Sequence, residues 1–270
     1  MATKPSDFLV VPIGFSLAKI DAASTPLSSG NKLADREEVV QLSERINTLQ
    51  DILFAERRRK VLVILQGMDT SGKDGTVRRV FQRVNPLGMR VTSFKTPTAI
   101  EREHDYLWRV QAQLPGAGEM VVFNRSHYED VLITRVHGWI DDAEAKRRFR
   151  HFNDFERLLT DTGTVILKFF LHISNAEQKR RLRERLQDGT KHWKFDPSDL
   201  SERDKWTEYM RAYEQALGAT STEVAPWHVV PADSKTHRDL VIARASVRAL
   251  EDMNLQYPPP RPEYFKLKVD

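Results

Sequence analysis

The sequence predicts a three-layer α/β/α protein in which helices cover both faces of a five-stranded parallel sheet. Helix-length polar stretches with apolar residues at helical spacing separate short, apolar, β-branched segments. This alternation is typical of a parallel sheet, because each return to the same edge needs a crossover connection. The predicted strands lie near residues 61–66, 90–94, 119–124, 165–172 and 227–231.

We divide the chain into an N-terminal arm (1–34), a main domain (35–256) and a Pro-rich tail (257–270). Ser, Pro, Gly and Asn concentrate before residue 32, whereas apolar residues at helical spacing predict a long helix from Asp35 to about Arg59. The basic run at its end suits a helix C-terminus, where the dipole favours cations. The tail sequence YPPPRPEY predicts a polyproline-like strap, with an SH3-type ligand as the weaker alternative.

Composition narrows the class of protein. Hydrophobic residues make up 40% and charged residues 30%, as in a soluble globular chain. The absence of cysteine excludes disulfides, thiolate metal sites and cysteine nucleophiles. Pro12, Gly14 and Ser16 interrupt the apolar stretch FLVVPIGFSLA, so we expect no secretory signal. We therefore expect a cytoplasmic protein without a membrane span.

The positive charge is concentrated in one segment. Lys and Arg total 42 against 38 Asp and Glu, a net charge of +4. Residues 175–194 contain seven basic and three acidic residues, and therefore carry the whole excess. On a helix over 175–187, Leu182 and Leu186 share one face, while Gln178, Arg181 and Arg185 share another. A charge run is usually a solvated face, but this division predicts that one face docks and another offers guanidinium groups.

A phosphate-binding loop follows the first predicted strand. The segment GMDTSGKD, residues 67–74, fits G-x-x-x-x-G-K at a strand-to-helix junction. Its glycines allow the backbone to wrap around an anion, and the lysine reaches across the phosphates. The predicted phosphate-binding residues of this loop are Gly67, Ser71, Gly72 and Lys73.

Two carboxylates distinguish this loop from the usual pattern. Asp74 stands after the lysine, where nucleotide-binding loops place the Ser or Thr that holds Mg²⁺. Asp69 lies inside the loop, and an anion facing phosphate is repulsive unless a cation lies between them. Asp69 is therefore the predicted Mg²⁺ ligand. Asp74 has a simpler interpretation, as an acid in the first turn of a helix.

The third predicted strand ends in a further candidate site. Asn124 stands where an acid that contacts the metal is expected, and Glu129 supplies a carboxylate five residues later. Arg125 follows at the strand tip, where a phosphate clamp is favoured over a surface ion pair. Because the carboxyl ends of parallel strands share one edge of the sheet, we expect these residues beside the loop.

The motifs GMDTSGKD, SFKTP (93–97), FNRSHYEDVL (123–132), LHIS, EQKRRLRERL and KHWKF together resemble the polyphosphate kinase 2 family, from about residue 8 to 255. The resemblance implies a P-loop kinase-like fold with a helical lid at about 175–205. It also implies Mg²⁺-dependent, reversible transfer of phosphate between inorganic polyphosphate and a nucleoside mono- or diphosphate. A homodimer or homotetramer, and no nucleic acid or membrane partner, are expected.

The resemblance also assigns roles to residues. Asp69 is similar to the family's aspartate for metal and acceptor phosphate, and Lys73 to its phosphate-bridging lysine. Arg125 resembles the arginine that contacts the transferring phosphates. These three are the expected catalytic residues. Basic lid positions expected along polyphosphate match Arg181, Arg185 and Lys194.

The acceptor site is less closely defined. Asn124 departs from the aspartate of many members, and with Glu129 it resembles the subgroup that accepts both AMP and ADP. The more common subgroup would accept one nucleotide only. Lys95, after the second strand, is a further candidate for acceptor binding.

Two other functions stay open at this stage. An ATP-dependent P-loop kinase of a nucleotide or small molecule would use the same loop, since the loop does not name the donor. A basic nucleic-acid-binding protein is a second alternative, although no helix-turn-helix, zinc-finger or aromatic RNA-binding motif is visible. Trp206, Tyr209 and Tyr213 invite a base-stacking interpretation, but we expect them to pack a helix against the core.

Overall fold

The sheet is five-stranded and parallel, with strand order β2-β3-β1-β4-β5. The computed structural model describes residues 10–11 and 15–269. Each predicted strand is confirmed to within one residue at either end. The strands are β1 (Lys60–Gln66), β2 (Met89–Ser93), β3 (Met120–Asn124), β4 (Thr164–His172) and β5 (Trp227–Pro231).

Helices cover both faces of the sheet. They are α1 (Lys32–Glu56), α2 (Lys73–Val80), α3 (Ala99–Arg102), α4 (Trp108–Gln111), α5 (Glu129–Val136), α6 (Asp142–Asp161), α7 (Asn175–Gln187), α8 (Ser198–Asp204), α9 (Trp206–Thr220) and α10 (Lys235–Asp252). Short 3₁₀ turns lie at Leu17–Lys19, Gly189–Lys194 and Pro262–Lys266.

The alternation of side chains along β1 explains the three layers. Leu62 and Ile64 point into a core shared with α5, α6 and α9. Val61, Val63 and Leu65 point into a second core shared with α1, α2 and α10. Because both faces of the strand are buried, its sequence is an unbroken apolar run. The predicted three-layer fold is confirmed.

The ends of α1 follow from local chemistry. Asn31 caps the helix, since its side chain accepts hydrogen bonds from the backbone N–H groups of Leu33 and Ala34. The helix ends at Glu56, three residues before the predicted end, and Arg57 has a φ of 51°. The basic run therefore follows the last turn. The helix begins at Lys32, inside the predicted arm.

Both chain ends carry predictions that the structure describes only in part. Residues 1–9 and 12–14, which include Pro12 and Gly14 of the secretory argument, lie outside the described residues, as does residue 270. Tyr257, at the start of the tail, donates a hydrogen bond to Asp51 at 3.0 Å, while the 3₁₀ turn Pro262–Lys266 is exposed. No helix within the described part of the chain is long and apolar enough to span a membrane.

The strand order sets the place for ligands. From β1 the chain moves outward to β2 and returns to β3, and then crosses to β4 on the other side of β1. The direction of winding therefore reverses at the neighbouring strands β1 and β3. In open parallel sheets ligands bind beyond the carboxyl ends of strands at such a switch point.

Candidate active site

The predicted phosphate loop lies at this switch point, between β1 and α2. Gly67 and Gly72 have φ values of 147° and 108°, which favour glycine. A Cβ atom on Gly67 would lie 2.8 Å from the Leu171 carbonyl oxygen, and one on Gly72 would collide with the Arg238 guanidinium. Both positions therefore require glycine for its conformation and for its lack of a side chain.

Lys73 closes the loop from its first helical position. Its Nζ donates to the carbonyl oxygens of Gly67 at 2.6 Å and Met68 at 3.2 Å. Burial, together with the nearby positive charge of Arg125, lowers the pKa of Lys73 to about 8. The ammonium group thus lies across the loop that phosphates are expected to enter.

Asp69 and Arg125 form an ion pair over the loop. The Nη2 of Arg125 donates to Asp69 Oδ1 at 2.6 Å. Burial alone would raise the pKa of Asp69, but the charges of Arg125 and Lys73 outweigh it and hold the pKa below its usual value. Attraction to Glu129 and Asp69 raises the pKa of Arg125. The carboxylate and guanidinium are therefore both charged near neutral pH.

Arg125 has an unusual backbone. Its φ is 63°, and its N–H donates to the Leu65 carbonyl oxygen at 3.0 Å, just beyond the last residue of β3. This left-handed conformation is uncommon for a residue with a side chain and tends to occur at functional sites. It turns the chain between β3 and α5 so that Arg125 faces the loop at the end of β1.

Asn124 and Asp74 contact each other across the switch point. Asn124 Nδ2 donates to Asp74 Oδ1 at 2.8 Å, and Lys194 Nζ lies 3.5 Å from Asp74 Oδ2. Burial would raise the pKa of Asp74, but these partners hold it below its usual value. Glu129 begins α5 behind Arg125, where the Gln66 amide, with its nitrogen turned to donate, lies 3.0 Å from Glu129 Oε1.

The predicted basic helix has the expected bounds, Asn175–Gln187, as α7. Ser174 caps it by accepting from the Glu177 N–H at 3.1 Å. Leu182 is buried as predicted, but Leu186 is 47% exposed, so its predicted docking role is wrong. The contact face of the helix ends one turn earlier, and the chain leaves the core towards the 3₁₀ turn Gly189–Lys194.

Arg185 and Lys194 meet beside the loop. Arg185 Nη1 donates to the Lys194 carbonyl oxygen at 3.1 Å and to Asp199 Oδ2 at 3.3 Å. Burial raises the pKa of Asp199 to about 6, and the charge of Asp69 adds to the shift. These contacts occupy only part of the donor capacity of Arg185, so its guanidinium can also bind an anion.

Arg181, which the sequence predicts as a phosphate-binding residue, contacts the protein itself in this structure. It is only 5% exposed, and all five of its N–H groups donate to Glu177 or to backbone carbonyls. No donor is left for a phosphate in this structure. The helical spacing that placed Arg181 beside Arg185 could not show which carbonyls would surround it.

A cavity of about 750 Å³ opens over the loop. Ten of its lining residues are basic and five are acidic, which leaves an excess of positive charge for an anionic ligand. Gly67, Ser71 and Glu129 lie behind this lining, and the Ser71 hydroxyl is buried without a hydrogen-bond partner. Predicted site residues on the cavity wall are Asp69, Gly72, Lys73, Lys95, Asn124, Arg125, Arg181, Arg185 and Lys194.

Two site residues were not predicted from the sequence. Arg238 on α10 is 1% exposed, donates to the Ser71 carbonyl oxygen at 3.2 Å and pairs with Asp239 at 2.7 Å. Asp199, which accepts from Arg185, lies on α8. Both reach the loop from distant parts of the sequence and match no motif. By contrast, Tyr209 and Tyr213 are buried in the core, which confirms their predicted packing role.

The donor set suits a cation that is held mainly by substrate. Over residues 10–11 and 15–269, no three His, Asp or Glu side chains are grouped as a ready metal cage. Mg²⁺ is typically bound by one or two carboxylates together with substrate phosphates and water. Asp69 in the loop and Asp74 in the first turn of α2 supply such carboxylates. The residues present therefore fit Mg²⁺ that enters with a phosphate ligand.

Fold and site together define a class. A strand, a glycine-containing loop and a helix with lysine at its first position lie at the switch point of a parallel sheet, and a basic helical segment crosses the opening. These features are typical of P-loop phosphotransferases. Comparison with known proteins identifies the family: the chain belongs to the polyphosphate kinase 2 family, whose model, Polyphosphate kinase 2 (PPK2), matches residues 29–258.

Relatives match nearly the whole chain. The AMP/ADP-polyphosphate phosphotransferase of Meiothermus ruber is 48% identical over 264 residues, which cover 97% of this chain and 99% of the relative. The ADP-polyphosphate phosphotransferase of Rhodopseudomonas palustris is 43% identical and is covered to 80%, over 81% of this chain. The crystal structure of polyphosphate kinase 2 from Arthrobacter aurescens superposes with a TM-score of 0.93 at 47% identity, covering 96% and 93% of the two chains.

Proposed function

We propose that this protein transfers the terminal phosphate of inorganic polyphosphate to ADP, forming ATP, and to AMP, forming ADP, in a reversible Mg²⁺-dependent reaction. The observation that carries the proposal is the excess of basic groups around one phosphate loop, ten against five in a single cavity. Apart from Arg181, whose N–H groups are all occupied, these basic groups can be contacted in larger number by a chain of phosphates than by the phosphates of a single nucleotide. The names of the two relatives support the same donor and acceptors.

The reaction needs no general base. The nucleophile is a terminal phosphate oxygen of the acceptor nucleotide, whose second ionisation lies near pH ~6, so it is already deprotonated at neutral pH. A bond forms from this oxygen to the terminal phosphorus of polyphosphate, and the bridging P–O bond breaks. The shortened chain keeps that bond's electron pair and leaves as an anion.

The side chains of this protein align the reactants and neutralise their charge. Lys73 lies across the loop, where it can bridge the donor and acceptor phosphates. Arg125 faces the same space from the end of β3, and its pair with Asp69 uses only one of its five N–H donors, so the others can contact a phosphate. Asp69 would hold Mg²⁺, which neutralises phosphate charge and separates the carboxylate from the anions.

We infer which nucleotides the protein accepts from the residues at the end of β3. Asn124 is neutral where a second carboxylate would repel a nucleotide phosphate, and Glu129 follows five residues later at the start of α5. We assign Asn124 and Glu129 to acceptor binding, together with Lys95, which follows the neighbouring strand β2. The relative named for both AMP and ADP is the more similar of the two compared, at 48% against 43% identity.

We also propose a domain organisation, a cellular location and an oligomeric state for the protein. Residues 175–205 form a lid whose Arg185 and Lys194 contact polyphosphate, the segment 15–31 before α1 belongs to an arm, and the segment from Tyr257 onwards belongs to a tail that straps the main domain. The protein acts in the cytoplasm as a homodimer or homotetramer. Size-exclusion chromatography with light scattering checks the assembly.

The experiment mixes the purified protein with Mg²⁺, long-chain polyphosphate and either AMP alone or ADP alone, and separates the nucleotides by chromatography. We expect ATP from ADP, and ADP followed by ATP from AMP. ATP from ADP alone would remove the AMP part of the proposal. No product in either mixture, with phosphorylation only when ATP is the donor, would favour the ATP-dependent kinase instead.

A further inference from the structure

The inner face of α7 holds a guanidinium group that the proposed mechanism does not use. Arg181 donates from Nε to Glu177 Oε1 at 2.6 Å, and from Nη1 to the carbonyl oxygens of Thr70 and Ser71 at 2.9 and 3.0 Å. Its Nη2 donates to the carbonyl oxygens of Ala232 and Asp233 at 2.7 and 2.9 Å. An arginine has five N–H donors, so all of them are occupied.

The acceptors come from three parts of the fold. Thr70 and Ser71 belong to the phosphate loop, Ala232 and Asp233 follow β5, and Glu177 lies on α7. A single side chain therefore joins the base of the basic helix to the loop and to the end of a second strand. A planar guanidinium suits this task, because its donors point outward in fixed directions.

The loop carries strain that needs such support. Thr70 has a φ of 65°, a conformation that residues with side chains rarely adopt and that persists when the surroundings hold it. The C=O and N–H groups of a trans peptide point in opposite directions. Holding the Ser71 carbonyl therefore also fixes the direction of the Gly72 N–H, at the point where the loop becomes α2.

Neighbouring arginines on the same helix have different surroundings. Arg180 is 53% exposed along its side chain and pairs with Glu177 and Glu184 on α7. Arg185 borders the cavity and contacts Lys194 and Asp199. Within the described residues, no hydrogen bond to the phosphate loop is recorded for either of them. Among the three arginines compared on α7, Arg181 alone therefore holds the loop. The uncharged Gln178 of the same helix adds one bond, to the Asp69 carbonyl oxygen at 3.3 Å, and Arg238 of α10 shares the Ser71 carbonyl oxygen at 3.2 Å.

We propose that Arg181 is a positioning residue, which clamps α7 to residues 70 and 71 of the phosphate loop and sets the loop conformation without touching a phosphate. The effect on turnover rests on the proposed function. The clamp itself concerns the ligand-free protein and does not depend on that function.

Arg181→Lys tests the clamp because it keeps the positive charge but offers only three donors from one atom. In the ligand-free variant we expect faster amide hydrogen exchange over residues 67–76. With polyphosphate and ADP we expect kcat to fall about 10- to 100-fold, as for a displaced catalytic group, while KM for polyphosphate changes about twofold or less. Arg180→Lys is the matched control, with exchange and kinetics of the parent protein.

Unchanged exchange over residues 67–76 in Arg181→Lys would overturn the proposal, as would a rise in KM for polyphosphate at an unchanged kcat, which indicates direct phosphate binding. If Arg181→Lys does not fold, Glu177→Gln weakens the Nε bond and should give the same changes at smaller amplitude. Hydrogen exchange is measured without substrate, so it tests the clamp even if the parent protein transfers no phosphate. Failure of the parent protein to phosphorylate AMP or ADP would count against the proposed function alone.

Discussion

Two clusters of charged side chains in this molecule differ in whether the positive and negative charges within each cluster balance. The interior cluster consists of Lys168 on β4, Glu156 on α6 and Tyr128 before α5. The site cluster consists of Asp69, Lys73 and Arg125. Both contain buried or half-buried ions, but only the site cluster opens to a cavity.

The interior cluster is complete. Lys168 Nζ donates to Glu156 Oε2 at 2.6 Å, to the Thr220 carbonyl oxygen at 2.8 Å and to the Tyr128 hydroxyl at 3.0 Å. Tyr128 in turn donates to Glu156 Oε1 at 2.7 Å. Lys168 and Glu156 are 0% and 1% exposed. One positive charge meets one negative charge, and the three donors of the ammonium group are all occupied.

The site cluster is incomplete by comparison. Two cations share one loop carboxylate, and the surrounding cavity adds further basic groups. The positive excess is unfavourable in the empty protein and is relieved when a polyanion binds. Burial of charge therefore does not by itself mark a functional site. The informative feature is charge that the protein leaves unbalanced.

The comparison predicts that the interior cluster contributes to stability. Lys168→Met leaves the Glu156 carboxylate buried without its partner and should lower the free energy of unfolding by about 3–5 kcal/mol. The double variant Lys168→Met/Glu156→Gln should lose less, because no unpaired charge remains. Denaturant unfolding measures both. Arg157→Gln, which breaks an exposed pair with Asp154 on the same helix, is the control and should cost about 0–1 kcal/mol. Equal losses in the single and double variants would contradict this account.

The same comparison predicts the opposite result in the site cluster. Asp69→Asn and Lys73→Ala should each lower turnover by about 100-fold or more, roughly 3 kcal/mol, because each removes a main charge at the transferring phosphate. Their free energy of unfolding should fall little, since the cluster is not balanced in the ligand-free protein. Steady-state kinetics and denaturant unfolding on the same preparations separate the two effects. Near-normal turnover in a folded variant would refute the site assignment.

The pKa of Lys73 predicts how binding depends on pH. Burial lowers this pKa to about 8, so the free protein loses the ammonium charge as the pH rises through that value. Phosphates favour the charged form, so above that pH binding must take up a proton and the affinity for tripolyphosphate should fall by up to about tenfold per pH unit. Calorimetric titration from about pH 6.5 to about pH 9.5 measures this. A dissociation constant that stays flat through pH 8, or that improves, would contradict the placement of Lys73.

The smallest expected effect concerns the lid. Arg185→Gln should raise KM for polyphosphate by about 5- to 10-fold, the scale of one ordinary hydrogen bond, and change KM for ADP less. Arg180→Gln, on the outer face of the same helix, should change neither. Kinetics with each substrate varied in turn make the distinction. Equal effects on both substrates would assign Arg185 a structural role only.

The sequence predicts the fold closely because both faces of the sheet are buried. The central strands β1 and β3 are continuous apolar runs, such as residues 61–65, whose bounds are visible without any knowledge of their neighbours. The edge strand β2, MRVTS, is partly exposed and mostly polar. The phosphate loop is equally visible, because Gly67 and Gly72 are required locally by positive φ angles. The placement of Asp69, Lys73 and Arg125 at one edge follows from the parallel topology.

The sequence does not reveal which groups a long side chain contacts in the folded protein. Arg181 and Arg185 are equivalent in a helical pattern, but one is surrounded by carbonyl oxygens and the other borders a cavity. Leu186 fits the apolar spacing of α7 but extends past the surface against which the helix packs. Arg238 reaches the loop from α10, and its role depends on a contact 167 residues apart in sequence. Tertiary structure determines such contacts, and the periodicity of one helix carries no information about them.

We propose above all that the unbalanced cluster of Asp69, Lys73 and Arg125 takes phosphate from polyphosphate. The most direct measurement follows radiolabelled phosphate from polyphosphate to unlabelled ADP, with Mg²⁺ present, for the parent protein and for Lys73→Ala. The account predicts label in the γ-phosphate of ATP with the parent protein and about 100-fold slower labelling with the variant. ATP without label, or equal labelling by both folded proteins, would contradict it.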